Sequence, residues 1–329
     1  MSDFNARDAV FTPAETSTLG IERIREMEAN KHRAMPLPLQ EIGEYVAPLM
    51  PGEICAVQAQ TSNYKSGFIA WWERGLAHYL AQNDRQDEVI IHVDTENVVE
   101  SLAIQEISRS SNHSVADLSR GNVRDWKPVM KAAAQIAGIQ IYRVATSLGH
   151  DRAPDLYLSN IYRGIQYMVS GQLLDRQIKP ACIFVDYLQA LPIDPEVKAG
   201  TEMKNQRRLQ VREDVYRLRR MAAYFECPVV VGVQAKQVLT GHAGENMRIP
   251  GTYDGEETSS IAQRFDRVLS MWMPKTTHTV GDTLRYGGME FDVEESLMFL
   301  KVNKQRGGLP AGKSWRCEID FSTNTIRKV

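Results

Sequence analysis

Two rhythms of apolar and polar residues run along the chain. From Thr18 to Arg33, TLGIERIREMEANKHR sets Leu19, Ile21, Ile24 and Met27 at helical spacing with charges between them. This predicts a short amphipathic helix behind a loose polar tail at residues 1–17. The prolines of MPLPL (35–39) end it, since proline cannot continue a helix, and a second helix is predicted from Gln40 to Leu49, before Pro51-Gly52. After Gly52 the rhythm changes. Short apolar runs, ICAVQA (54–59), VIIHV (89–93), IQIYRV (139–144), ACIFVD (181–186) and VVVGV (229–233), alternate with longer helical patterns such as Lys65–Ala81 and Leu209–Phe225.

Strands that are apolar on both faces and separated by crossover helices predict an α/β fold: a mostly parallel central sheet with helices on both faces. The later runs, VLSMWM (268–273) and SLMFLKV (296–302), belong to a closely spaced set, which predicts C-terminal β-hairpins added to the sheet edge. Two long polar stretches interrupt the pattern, Pro192–Asn205 and His242–Ser260. Loops of that length in a compact domain are usually functional or disordered.

Composition adjusts this picture only slightly. With 43% hydrophobic and 24% charged residues in 329, the chain has the balance of a globular protein with a real core. No apolar stretch reaches the ~20 residues a membrane span needs, so no membrane partner is expected. Cys55, Cys182, Cys227 and Cys317 are scattered without a CxxC pair or zinc spacing, which points to reduced core thiols and a cytoplasmic setting. Lys+Arg is 39 against Asp+Glu 41, a net charge of -2. That argues against a protein coated in positive charge, yet leaves room for a local basic strip.

Candidate chemistry gathers where strands end. AQTSNYKS (59–66) follows the strand ICAVQ and precedes a helix, the arrangement of a phosphate-binding loop. Lys65 suits the β/γ-phosphates and Ser66 a Mg²⁺ ion, although Ala59 and Tyr64 stand where GxxxxGKS/T has glycines. IFVDYLQAL (183–191) has the shape of a Walker B strand, with Asp186 orienting the Mg²⁺ shell. In VIIHVDTEN, Glu96 lies just past a strand end, where a carboxylate can polarise an attacking water. Gln234 ends VVVGVQ as a polar amide placed to sense a γ-phosphate. In FLKVNKQRGG, Lys304 and Arg306 alternate on one strand face, a pair suited to phosphate charge. Each element taken singly also has an ordinary structural explanation.

Taken in order, PGEICAVQAQTSNYKS, VDTEN, IFVDYLQAL, CPVVVGVQ, SSIAQRFDRVL and NKQRGG resemble the C-terminal motor domain of DnaB-type replicative DNA helicases, a RecA-like fold among P-loop NTPases. The resemblance covers residues 36–329, behind a tail and linker-type helix at 1–35. It implies ATP hydrolysis coupled to movement on single-stranded DNA, in a homo-oligomer, a hexamer in the family, with ATP at subunit boundaries. It further implies that Gln60, Thr61, Ser62, Asn63, Tyr64, Lys65 and Ser66 bind ATP, and that Ser66 and Asp186 hold Mg²⁺. Glu96 would activate water, and Gln234 would couple the γ-phosphate to DNA loops. Lys304 and Arg306 would reach the ATP of the next subunit, and the helix at Thr18–Arg33 would dock on a neighbour. A loader or primase is a further implied partner, and the implied setting is a bacterium, plasmid or phage. The family's N-terminal collar domain has no counterpart before residue 36.

Tyr64 departs from the family, which has glycine before the lysine. It motivates an alternative: a RecA-like nucleotide- and DNA-binding switch, loader or recombination mediator with weak or no hydrolysis. For DNA, the stretch Lys204–Arg220 is richly basic, and Arg208 and Arg212 fall near one helix face together with Arg219. Tyr253 is the best aromatic candidate for stacking on a base, in a loop that is otherwise acidic.

Overall fold

A computed structural model describes residues 10–149, 155–174, 176–195, 203–236, 249–255, 261–286, 289–307 and 311–329. Helix α1 (Pro13–Ala29) starts five residues before the apolar pattern does, because its start is set by a cap. Thr12 accepts from the backbone of Glu15 while the Glu15 carboxylate accepts from the Thr12 backbone, and Pro13 occupies the first turn. None of its residues is buried, and Leu19, Ile21, Ile24 and Met27 stand exposed. The next helix, α2 (Gln40–Gly43), is shorter than the pattern predicts. Met35 and Leu49 exchange backbone hydrogen bonds of 2.9 Å, so the segment doubles back and buries Met35, Ile42, Val46 and Leu49 in the core.

From there the chain alternates as the sequence predicts. It runs through β1 (Ile54–Ala59), α3 (Lys65–Gln82), β2 (Glu88–Val98), α4 (Val99–Ser111), α5 (Val115–Ser119) and α6 (Trp126–Ala137). Then come β3 (Ile141–Thr146), α7 (Leu158–Val169), β4 (Lys179–Asp186), α8 (Met203–Tyr224) and β5 (Val229–Gln234). The last part holds α9 (Ile261–Arg264), β6 (Arg267–Trp272), β7 (Thr283–Tyr286), β8 (Met289–Asp292), β9 (Leu297–Gln305), β10 (Ser314–Asp320) and β11 (Thr325–Lys328).

Among the described residues, nine strands form one sheet in the order β11-β10-β9-β6-β1-β5-β4-β2-β3. The six from β6 to β3 are parallel, and β9, β10 and β11 extend the edge as antiparallel hairpins. Because the parallel strands are covered on both faces, their side chains feed two cores. Phe68, Ile69, Trp72, Leu76 and Leu80 of α3 pack on one face of the sheet. Ile161 and Ile165 of α7, with Val211, Val215 and Leu218 of α8, pack on the other. All four cysteines are free and buried in these cores, and burial pushes the Cys55 and Cys317 thiols up to about 12.

Register decides which residues meet. Ala59 pairs with Gln234, and Asp94 with Asp186, so the carboxyl ends of β1, β5, β4 and β2 form one rim. Gln305 pairs with Arg267, which itself pairs with Cys55 near the start of β1, so the end of β9 lies at the opposite rim.

Candidate nucleotide site

The loop from Gln60 to Tyr64 leaves β1 and enters α3 through two left-handed residues, Ser62 (φ 65°) and Tyr64 (φ 62°). A non-glycine residue in that region costs roughly 1–2 kcal/mol, so the surroundings of Tyr64 must over-determine it. They do. Its ring lies against Gly67, where a β-carbon would stand 2.5 Å from the ring. It meets Phe321 edge-on at 5.3 Å, and its hydroxyl donates to Asn324 Oδ1. Asn324 is fully buried, donates to the Gly67 carbonyl at 3.1 Å, and is itself held through its carbonyl by Arg74 at 3.0 Å. Tyr64 therefore keeps the backbone conformation of a glycine, with its ring lodged between α3 and the β10–β11 turn. On the loop's other side, buried Asn63 accepts from the Met273 backbone at 2.7 Å, tying the loop to the end of β6.

Lys65 opens α3, and its Nζ lies 2.6 Å from Asp186 Oδ1, with both side chains largely buried. The ammonium also stands 4.0 Å over the Tyr187 ring. Gly232 of β5 makes this pairing possible, since a β-carbon there would stand 2.9 Å from the Asp186 oxygen and 3.2 Å from the Lys65 nitrogen. Gln234 donates from its side chain to Thr61 Oγ1 at 2.8 Å. Its backbone is gripped at two points by the Gln189 side chain, which accepts from N at 3.0 Å and donates to O at 3.1 Å. Gln189 and Leu191 in turn offer their carbonyls to Arg207 of α8 at 2.5 and 2.9 Å. A chain of hydrogen bonds thus runs from the loop after β1 to the start of α8. Gln60 donates to the Lys236 carbonyl at 3.1 Å, bracing the same rim.

Ser66 and Asp186 border a cavity of about 300 Å³ that Glu96, Asp94 and Arg143 also line. Glu96 is exposed at the cavity, and its position comes from Asp94, whose Oδ1 accepts the backbone N–H of Glu96 at 2.9 Å and of Asn97 at 2.7 Å. Beside Asp94 lies a charge cluster that borders the same cavity at His92 and Arg143 and that no sequence motif singles out. His92 bonds Glu73 through Nδ1 and has Nε2 at 3.6 Å from Asp94 Oδ2, while Arg143 of β3 bonds Glu73 at 3.0 Å. Burial alone would push the His92 imidazolium down, but the Glu73 carboxylate bonded to Nδ1 and the Asp94 carboxylate near Nε2 outweigh it and raise its pKa to about 9. The visible signal was a histidine inside VIIHV, an apolar run with no other polar residue.

The structure therefore brings together Gln60, Thr61, Asn63, Tyr64, Lys65, Ser66, Glu96, Asp186 and Gln234, with Ser62 in the same loop. It leaves Lys304 and Arg306 apart. Lys304 donates to the carbonyls of Ala262 and Gln263 at 3.2 and 2.6 Å, and Arg306 pairs with Asp266 at 3.1 Å, all at the opposite rim. The length of β1 separates the two rims, about 16 Å at ~3.3 Å per residue. Burial, then the adjacent Arg306 charge, lowers the Lys304 pKa.

Of the DNA candidates, Arg212 and Tyr253 are exposed, while the side chain of Arg208 lies outside the described residues, as do 196–202, 242–248 and 256–260 of the two long loops. Neighbouring cations of α8 are engaged within the chain: Arg207 as above, Arg217 on Asp194 at 2.9 Å, and Arg219 on Asp266 at 3.0 Å. Among the described residues, no helix is long and apolar enough to cross a membrane.

Residues 35–327 match a family model described as the DnaB-like helicase C terminal domain. Two solved structures are similar. One is an ATPase domain with 14% identity and a TM-score of 0.69, covering 97% of this chain and 99% of that chain. The other is of a DnaB-like replicative helicase and its interactions with primase, at 14% identity and a TM-score of 0.64, covering 89% of this chain and 62% of that chain. The likeness establishes the RecA-like ATPase fold. No curated protein matches the chain.

Proposed function

The chain belongs to the DnaB-like helicase C terminal domain family, and from that premise we propose that it is an ATP-driven motor that moves along single-stranded DNA as a ring-shaped homo-oligomer, in DNA replication. One observation carries the reading: at one rim Lys65 rests on Asp186, Glu96 shares a cavity with Ser66 and Asp186, and Gln234 bonds Thr61 of the loop after β1. A lysine over a helix N-terminus suits phosphate oxygens. A hydroxyl and a carboxylate suit Mg²⁺, a hard cation that takes oxygen ligands. The room left by Gly232 fits such a charged cluster.

In this reading the loop from Gln60 to Tyr64 and the first amides of α3 cradle the phosphates, and Lys65 turns from Asp186 to the β/γ-phosphates. Ser66 and Asp186 hold Mg²⁺, which when bound neutralises charge building on the phosphate oxygens. Glu96 orients a water and accepts its proton. Gln234 holds Thr61 and, through Gln189, is linked to the base of the loop before α8. Lys304 and Arg306 serve the ATP of an adjacent copy, because their own rim lies a strand length away. The bare apolar face of α1 supports docking on that neighbour, and a hexamer is the family's expected ring. Arg208, Arg212 and Tyr253 are the proposed DNA contacts, and a loader or primase the proposed partner.

The alternative, a switch with weak hydrolysis, was motivated by Tyr64. Its lodged ring supports the hydrolysing reading instead, since the loop backbone keeps the glycine-like conformation.

The test is turnover with and without single-stranded DNA, together with mass in the presence of ATP and DNA and strand displacement on a forked substrate. DNA-stimulated ATPase activity that Lys65→Ala abolishes is expected. Normal turnover in Lys65→Ala overturns the assignment.

A further inference from the structure

Strand β2 is aliphatic from Val89 to Val93 except at His92, which is buried, as are Glu73 and Asp94 beside it. Burying three ionisable groups together is costly unless each is paired. Here the pairing has a direction. Glu73 sits on α3, eight positions after Lys65, about 12 Å along the helix at ~1.5 Å per residue. It holds His92 on one side and Arg143 on the other. His92 presents its second nitrogen to Asp94, and Asp94 spends Oδ1 on the backbone turn that carries Glu96 into the cavity. Its other oxygen accepts from the Asn97 side chain at 3.1 Å.

We propose that His92 is a positioning residue for hydrolysis, acting on Glu96 through Asp94 and tying the turn that bears Glu96 to the helix that bears Lys65. This rests on the hydrolytic reading above. An aspartate nearly out of water holds two backbone N–H groups well only while its charge is compensated. The cation next to it is His92, whose Nε2 stands 3.6 Å from Asp94 Oδ2. Losing the imidazole frees Asp94 to rotate, and the Glu96 turn loses its brace. The phosphate loop, anchored separately by Asn63 and Tyr64, is untouched. A cluster that served stability alone would have no reason to discriminate between these two halves of the site.

The experiment compares steady-state ATP turnover, binding of a fluorescent ATP analogue and thermal unfolding for His92→Gln, Asp94→Asn, their double variant and Glu96→Gln. The glutamine keeps polar hydrogen-bonding capacity at position 92 without the charge. His92→Gln and Asp94→Asn are each expected to lower kcat by ~10- to 100-fold, the range for a misplaced catalytic group, with nucleotide affinity within about threefold of the parent. The double variant is expected to be no worse than the less active single, because both act through one path. An unchanged kcat with lowered thermal stability overturns the proposal, as do losses that multiply in the double variant. If Glu96→Gln keeps full turnover, the hydrolytic reading itself fails. If Glu96→Gln is inactive while His92→Gln is fully active, only the positioning role fails.

Discussion

Tyr64 and Gly67 form a lock and its keyway: the ring of the first lies where any side chain on the second would have to be, 2.5 Å from an ideal β-carbon. The pair explains how a tyrosine holds a left-handed position that favours glycine. It also makes the two positions interdependent. Gly67→Ala is expected to weaken ATP binding by ~10-fold, since overpacking of this kind costs roughly 1–3 kcal/mol. In a Tyr64→Gly background the same alanine should change binding by less than about twofold. Equal penalties in both backgrounds, measured by titration with a fluorescent ATP analogue, would sink the pairing.

Gly232→Ala tests the room around the ion pair. The added methyl would stand within 3.2 Å of both Asp186 and Lys65, whose side chains are only 4% and 12% exposed and have little space to retreat. Nucleotide affinity is expected to fall by at least ~10-fold, with roughly 1–3 kcal/mol lost from unfolding stability. A fully active Gly232→Ala protein would show that Lys65 and Asp186 need not meet.

The buried cluster around His92 gives stability a basic limb. The imidazolium has a folded pKa of about 9 against ~6.5 when unfolded, so its contribution is complete below ~6.5 and disappears as pH climbs through about 9. For Glu73 and Asp94, burial pushes the carboxyls up, but His92, with Arg143 at Glu73 and backbone N–H groups at Asp94, outweighs it and leaves both lowered. Their contribution holds above ~4 and fades as pH drops through those lowered values. Melting temperature recorded from pH 6 to 10 should fall on the alkaline side in the parent protein and flatten in His92→Gln. A parallel fall in both would place the alkaline loss elsewhere.

Catalysis across a subunit boundary is expected to show in mixtures. In the proposed reading Lys65→Ala removes the lysine that meets the phosphates in one copy, and Arg306→Ala the cation proposed to reach the next. Each alone should be inactive in DNA-stimulated turnover, and mixed assemblies should recover activity, because some boundaries then join an intact Lys65 to an intact Arg306. Mixtures as inactive as their components would return Arg306 to a structural role on Asp266.

Much of this architecture was legible from pattern alone. Short aliphatic runs with no polar face, alternating with helical patterns, mark interior strands, and the stretch joining ICAVQA to α3 had to turn just before Lys65 and Ser66. What escaped was set by contacts distant in sequence. The start of α1 depends on Thr12 and Glu15, outside the apolar stripe. The early end of α2 follows from the Met35–Leu49 pairing, which no local propensity encodes. Tyr64 read as an obstruction because Gly67 lies one helical turn ahead and Asn324 lies 260 positions away. The lone histidine of VIIHV was in view, but its partners Glu73 and Arg143 come from α3 and β3. In the basic stretch Lys204–Arg220 the spacing set Arg208, Arg212 and Arg219 near one face, whereas Arg219 is engaged within the chain on Asp266, as Arg207 and Arg217 are on their own partners.

The two-point grip of Gln189 on Gln234 has a mechanical meaning. It holds the backbone of Gln234 and leaves the side chain to reach Thr61, so the end of β5 is a clamped beam with a swinging tip. A change at the phosphate loop can rotate that tip without moving its mount. Any motion large enough to move the mount must carry Gln189, and with it the anchorage of Arg207, as one rigid lever.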